Sequence, residues 1–169
     1  VVHLQAVETL AQLVRRDFEA ELMSALGSDI SWAVVGYHKP GADLALALQM
    51  TLAQSGGVNV VFLKNHGVVI GGADVEEIRS MLQLLTDRLA SPADSRAAIV
   101  PGTPPVTSYE AVEGAAVQRI ALDHSLFGRL DADWVLYPDH VVFLGPTAFA
   151  YESWSDFQSA RTRSEDLPE

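Results

Sequence analysis

The stretch "VVFLKNHGVVIGG" (Val60–Gly72) decides how the rest of the chain is read. Two apolar, β-branched runs, Val58–Leu63 and Val68–Ile70, flank Lys64, Asn65, His66 and Gly67. Short apolar runs bounded by turn residues read as buried strands. Gly71 and Gly72 then turn the chain. Asp74 is a good helix N-cap, and Glu77, three residues on, is its capping-box partner. Ile78, Met81, Leu82, Leu85 and Leu89 recur at helical spacing, which predicts a helix to about Leu89. A histidine followed at once by glycine, between two buried strands, is the odd feature. Glycine permits a backbone turn and the close approach of another group.

The same alternation extends upstream. Val1–Leu4 is a short apolar run. Leu10, Leu13, Val14, Phe18, Leu22 and Leu26 then predict one amphipathic helix ending at Gly27. "ISWAVVGY" (Ile30–Tyr37) reads as a strand, "HKPGA" as a turn, and Ala42–Gln54 as a helix closed by Ser55, Gly56 and Gly57. Downstream, Ser91–Ser108 is a Pro/Gly/Ser-rich connector. Glu110–His124 predicts a helix, and Trp134–Gly145 a strand, turn and strand. The expected division is a domain over residues 1–90, the connector over 91–108, a helix-hairpin extension over 109–153 and a polar tail over 154–169. Alternating strands and helices predict an α/β layered domain.

Composition removes several function classes. Lys and Arg number 11 against 22 Asp and Glu, a formal net charge of −11. A nucleic-acid binder needs a basic face, and anionic membrane repels this balance. There are no cysteines, so disulfides and thiolate zinc sites are excluded, and any metal must use His, carboxylate or amide ligands. The longest uncharged run, Leu44–Leu63, contains Gln49, Gln54, Ser55, Gly56, Gly57 and Asn59, which marks helix, turn and strand rather than a membrane span. No signal peptide is visible and a cytoplasmic setting is expected. The chain opens without methionine, in what reads as mid-strand, so processing or an upstream part is expected.

Five histidines are the main candidates for chemistry. His66, at a strand break, reads equally as a metal ligand or as a polar turn residue. On a strand, His3 and Gln5 share one face. Two imidazoles at that spacing would be a strong metal signal. One His and one Gln is a weak one, and His3 alone reads as a satisfied strand histidine. His38 reads as a solvated turn residue, and His124 as a helix C-terminal cation. His140, after Asp139, sits in a turn where the pair can orient an imidazole or only stabilise the turn. Tyr37, Lys39, Lys64, Arg15 and Arg16 are the local groups able to receive an anion. No P-loop, dinucleotide-binding glycine pattern or Gly-x-Ser-x-Gly elbow occurs.

Three of these segments together resemble the class II aldolase/adducin family (fuculose-phosphate aldolase-like). "VVHLQAV" (Val1–Val7) resembles its Val-Val-His-x-His segment. "VGYHKPGADLALAL" (Val35–Leu48) resembles its Tyr-x-x-(Pro/Phe)-Gly turn and following helix. "VVFLKNHGVVIGGADVEEIRSMLQLL" (Val60–Leu85) resembles its Leu-x-Asn-His-Gly segment, the glycine after it, and a helix. "LYPDHVVFLG" (Leu136–Gly145) resembles a C-terminal segment of one branch of the family.

The resemblance implies a three-layer α/β/α sandwich around a mixed, largely antiparallel sheet. It implies a metal-dependent lyase of carbohydrate metabolism acting on a sugar phosphate or related hydroxy-carbonyl compound. Zinc or another divalent ion would polarise the substrate carbonyl. His3 and His66 then occupy two metal-ligand positions, and Gln5 replaces the third, histidine, ligand and weakens the site. Tyr37, Lys64, Asn65 and Gly67 are the substrate-side positions. The family's upstream half, with its Gly-Asn phosphate loop and Ser-Ser-Glu segment, has no counterpart here, so no acid/base is assigned. A homo-oligomer, a tetramer by resemblance, is expected, with Tyr37 and His140 as loop candidates for a neighbouring chain's site. The alternative is a non-catalytic, adducin-like binding or structural domain.

Overall fold

The computed structural model describes residues 1–90 and 115–163. Its elements are β1 (Val2–Leu4), α1 (Val7–Leu13), α2 (Phe18–Leu26), β2 (Trp32–Val35), α3 (Ala42–Gln54), β3 (Val60–Leu63), β4 (Gly67–Ile70), α4 (Val75–Leu89), α5 (Ala115–Leu122), α6 (His124–Asp133), α7 (Pro138–Leu144) and α8 (Trp154–Arg163). The chain divides into two compact units, one of Val1–Ala93 with Leu136–Phe143, the other of Asp94–Val135 with Leu144–Glu169.

The first unit is built on a four-stranded mixed sheet of order β1-β4-β3-β2. β1 and β3 flank β4 antiparallel, and β2 joins β3 in parallel. The α3 crossover supplies the length that a parallel pair requires. All four β3 residues are buried, and alternate residues feed opposite faces. Val60, Phe62, Val68 and Ile70 pack with Leu13, Phe18, Leu22, Leu26, Leu85 and Leu89 of α1, α2 and α4. Val35, Val61 and Leu63 pack with Leu44, Ala47 and Leu48 of α3 on the other face. Helices on both faces make this the expected three-layer α/β/α arrangement, with two of its three strand pairings antiparallel. The continuous Val-Val-Phe-Leu run of β3 is the signature of a strand covered on both sides.

Local chemistry sets the boundaries. Gly27, at φ +68°, ends α2 in a conformation that a side chain would strain. The Arg88 guanidinium reaches the Leu26 carbonyl and pairs with Asp29 at 2.5 Å, which holds that carboxyl below its usual range. Asp74 accepts from the Glu77 N–H at 2.9 Å, as the cap predicts, while the Glu77 carboxylate takes the Ala73 N–H at 2.6 Å. Asp74→Ala is expected to lower stability by about 1 kcal/mol, read as a shift of the urea midpoint at unchanged slope. A shift below ~0.3 kcal/mol would show that the cap does not hold α4.

Three expectations are corrected. The single helix ending at Gly27 is two, because the chain breaks between Leu13 and Phe18. Arg15 pairs there with Asp17 at 3.3 Å and Glu21 at 3.0 Å, and Leu13, Phe18, Leu22 and Leu26 are all buried across the break. Trp134–Gly145 is not a hairpin, since Pro138–Leu144 is helical. Proline suits a first helical position, and Asp139 suits the first turn's dipole. The Val-Val-Phe-Leu segment of α7 leaves Val142 and Phe143 exposed, unlike a core strand. His124 starts α6 rather than ending a helix. The Asp123 carboxylate caps that start by accepting the Ser125 and Leu126 N–H groups at 3.0 and 3.2 Å.

In the second unit, Arg119 approaches Asp123 at 3.8 Å. Trp134 donates to the Gly145 carbonyl at 3.1 Å, and the Tyr151 and Trp154 rings contact Phe157. The expected connector (residues 91–108), the first residues of the Glu110–His124 helix (110–114) and the end of the tail (164–169) lie outside the described residues. Among the described residues no helix is long and apolar enough to cross a membrane.

Candidate metal centre

The histidine of the opening stretch lies in a three-residue loop, Lys64-Asn65-His66, between the paired residues Leu63 and Gly67. The His66 N–H donates to the Leu63 carbonyl at 3.0 Å and closes the turn. Asn65 sits at φ +54°, which asparagine tolerates better than most residues. The Lys64 N–H donates to the Val35 carbonyl at 3.0 Å, tying the loop to the end of β2. The Asn65 side chain donates to the Leu136 carbonyl at 3.3 Å, while its own oxygen is buried without a partner.

Gly67 is explained by β1. A Cβ built on it would lie 2.4 Å from the Leu4 carbonyl oxygen and 3.4 Å from His3 Nε2. No side chain fits there, so glycine lets β1 close on β4 with His3 opposite Val69. The result is that the His3 and His66 rings approach to 4.9 Å between centroids, tilted by 52°.

His66 is buried, and its Nδ1 has no hydrogen-bond partner. An unpartnered buried polar atom costs about 1–3 kcal/mol, which an occupant of the site would relieve. Partial burial and then the neighbouring His66 lower the His3 pKa, against the opposing pull of Asp139. A lowered pKa favours neutral imidazole, the metal-binding form. Gln5 donates its side-chain N–H to the Asp139 carboxylate.

The predicted positions thus separate. The histidine pair is brought together, and Gln5 follows His3 with its amide tied to α7. Asn65 holds the loop to Leu136, and Gly67 serves close approach. Lys64 is directed elsewhere, its ammonium 5.1 Å from the centroid of the Phe18 ring. Tyr37 is exposed in the loop between β2 and α3. His140 lies on α7 with its ring 5.4 Å from that of Tyr137. Among the described residues no group of three or more His, Asp and Glu is arranged to hold a metal. Of the expected ligand set, the two imidazoles come together, and the Gln5 amide oxygen, a poor zinc ligand, would have to supply a third donor. Asp139 is the participant that the sequence reading did not assign. It was noted beside His140, but its partner Gln5 lies 134 residues away.

A family model, the class II aldolase and adducin N-terminal domain, matches residues 1–90. The chain belongs to the class II aldolase and adducin family. That match covers β1 through α4, the span holding His3, Gln5 and His66. Among solved structures, an aldolase II superfamily protein from Pseudomonas syringae is similar at 18% identity and a TM-score of 0.39, over 95% of this chain and 52% of that one. The chain therefore spans about half the length of that aldolase II superfamily protein. No curated protein matches it.

Proposed function

We propose that the chain carries the metal-binding half of a class II aldolase-like lyase site. The observation that carries this reading is the histidine pair, 4.9 Å apart, with one buried nitrogen unpartnered. His3 and His66 would hold zinc or another divalent ion, with the Gln5 amide oxygen as a weaker third donor. Bound there, the ion would supply Lewis-acid polarisation of a carbonyl on a sugar phosphate or related hydroxy-carbonyl compound. The protein's contribution to such a site would be to hold the two imidazoles side by side. Gly67 admits β1 against β4, the His66–Leu63 backbone bond closes the loop that carries one imidazole, and pairing to β4 places the strand that carries the other. No described carboxylate is assigned as acid/base, so a complete reaction needs groups from outside these residues. A homo-oligomer in the cytoplasm is part of the same reading.

The test is zinc content per chain after incubation with the metal and dialysis. Near-stoichiometric zinc supports the reading. Gln5→His is then expected to raise zinc affinity by at least ~10-fold, since it exchanges a poor ligand for a good one. No uptake by the unaltered chain would overturn the reading in favour of a non-catalytic, adducin-like binding domain.

A further inference from the structure

Asp139 stands outside the family-matched segment, in the first turn of α7, yet its carboxylate accepts from the Gln5 side chain. A carboxylate has no proton to give, so it dictates which end of the Gln5 amide it meets. The NH2 must face Asp139, which leaves the oxygen on the other side of the amide. Gln5 directly follows β1, two residues after His3, and both are exposed. A free glutamine there would sample many rotamers, and its amide could turn either end toward a metal. The link runs between chain segments that have no sequence proximity, and it is joined by another from the approach to α7. That second link is the Asn65 donation to Leu136.

On the metal-binding reading above, we infer that Asp139 is a positioning residue that orients the Gln5 amide oxygen as the third metal donor. It acts as carboxylates do behind ligating histidines, by fixing ligand orientation and raising the basicity of the donor atom. The substitution of glutamine for histidine is then compensated by α7.

The experiment is a double-mutant cycle on zinc affinity, measured by titration calorimetry on the whole chain. Asp139→Ala is expected to weaken zinc binding by about 10-fold, within the range for outer-shell partners. In a Gln5→Ala background the same change is expected to have no effect, because Asp139 acts only through Gln5. Asp139→Asn, whose amide can present either its oxygen or its NH2 to Gln5, no longer dictates which end it meets and should lose most of the affinity that Asp139→Ala loses. In metal-free protein, Asp139→Ala should shift the Gln5 side-chain amide resonances. An equal loss in the Gln5→Ala background would overturn the inference and make Asp139 a ligand itself. Unchanged affinity in Asp139→Ala, with zinc still bound by the unaltered chain, would overturn the inference alone. An unaltered chain that takes up no zinc would overturn the metal-binding reading and the inference together.

Discussion

His66→Ala should lower zinc affinity by more than ~100-fold, beyond the 10- to 100-fold typical of losing an outer-shell partner. The reason is geometric. His66 is held by its own backbone bond to Leu63 and buried between β3 and β4, so no neighbour can swing in to replace it. His3→Ala should act in the same direction, since the two ring centroids lie 4.9 Å apart. The metal-free protein should react differently. The His66 ring contributes one buried nitrogen with no partner, so its removal relieves an unsatisfied group while leaving a small void. These terms oppose, and the urea midpoint is expected to move by less than ~1 kcal/mol equivalent. A large loss of stability together with unchanged zinc binding would show that His66 serves the core and not a metal.

Gly67→Ala should do what His66→Ala does not, and cost stability directly. Its Cβ would meet the Leu4 carbonyl at 2.4 Å, a backbone atom that cannot rotate away. β1 must shift off β4 or the hairpin must open. Overpacking of this kind costs about 1–3 kcal/mol, and here the upper end is expected because the obstacle is main chain. Zinc affinity should fall as well, because His3 rides on the strand that moves. The check is a pair of measurements on one variant, the urea midpoint and the zinc titration. A variant with wild-type stability would mean that β1 does not lie against Gly67 in solution. A destabilised variant with intact zinc affinity would separate the strand contact from the metal centre.

Much of the first unit was legible in the sequence. The Val60–Ile70 hairpin was readable because two apolar runs flank a polar loop ending in glycine. α4 was readable from its Asp74 cap and its apolar stripe, and α3 from its turn glycines. The break between Leu13 and Phe18 was not, since it carries neither glycine nor proline and the helical spacing runs straight through it. α7 was misread for a related reason. "VVFL" occurs at β3 and, as residues 141–144, in α7. Four apolar residues favour a strand only where neighbouring strands accept from their N–H groups and donate to their C=O groups.

The candidate site divides along the same line. His66 and Gly67 could be singled out from their own neighbours, because a loop and a glycine leave a local trace. That Gly67 exists for Leu4, that His3 meets His66, and that Asp139 holds Gln5 left none. What the sequence alone determined is therefore local: turns, caps, the apolar period and the family motifs in residues 1–90. The tertiary structure alone decided which segments meet. Caps and turns are settled by hydrogen bonds within a few residues. The placement of β1 beside β4 depends instead on burial summed over the sheet and both helical layers, which no short window contains.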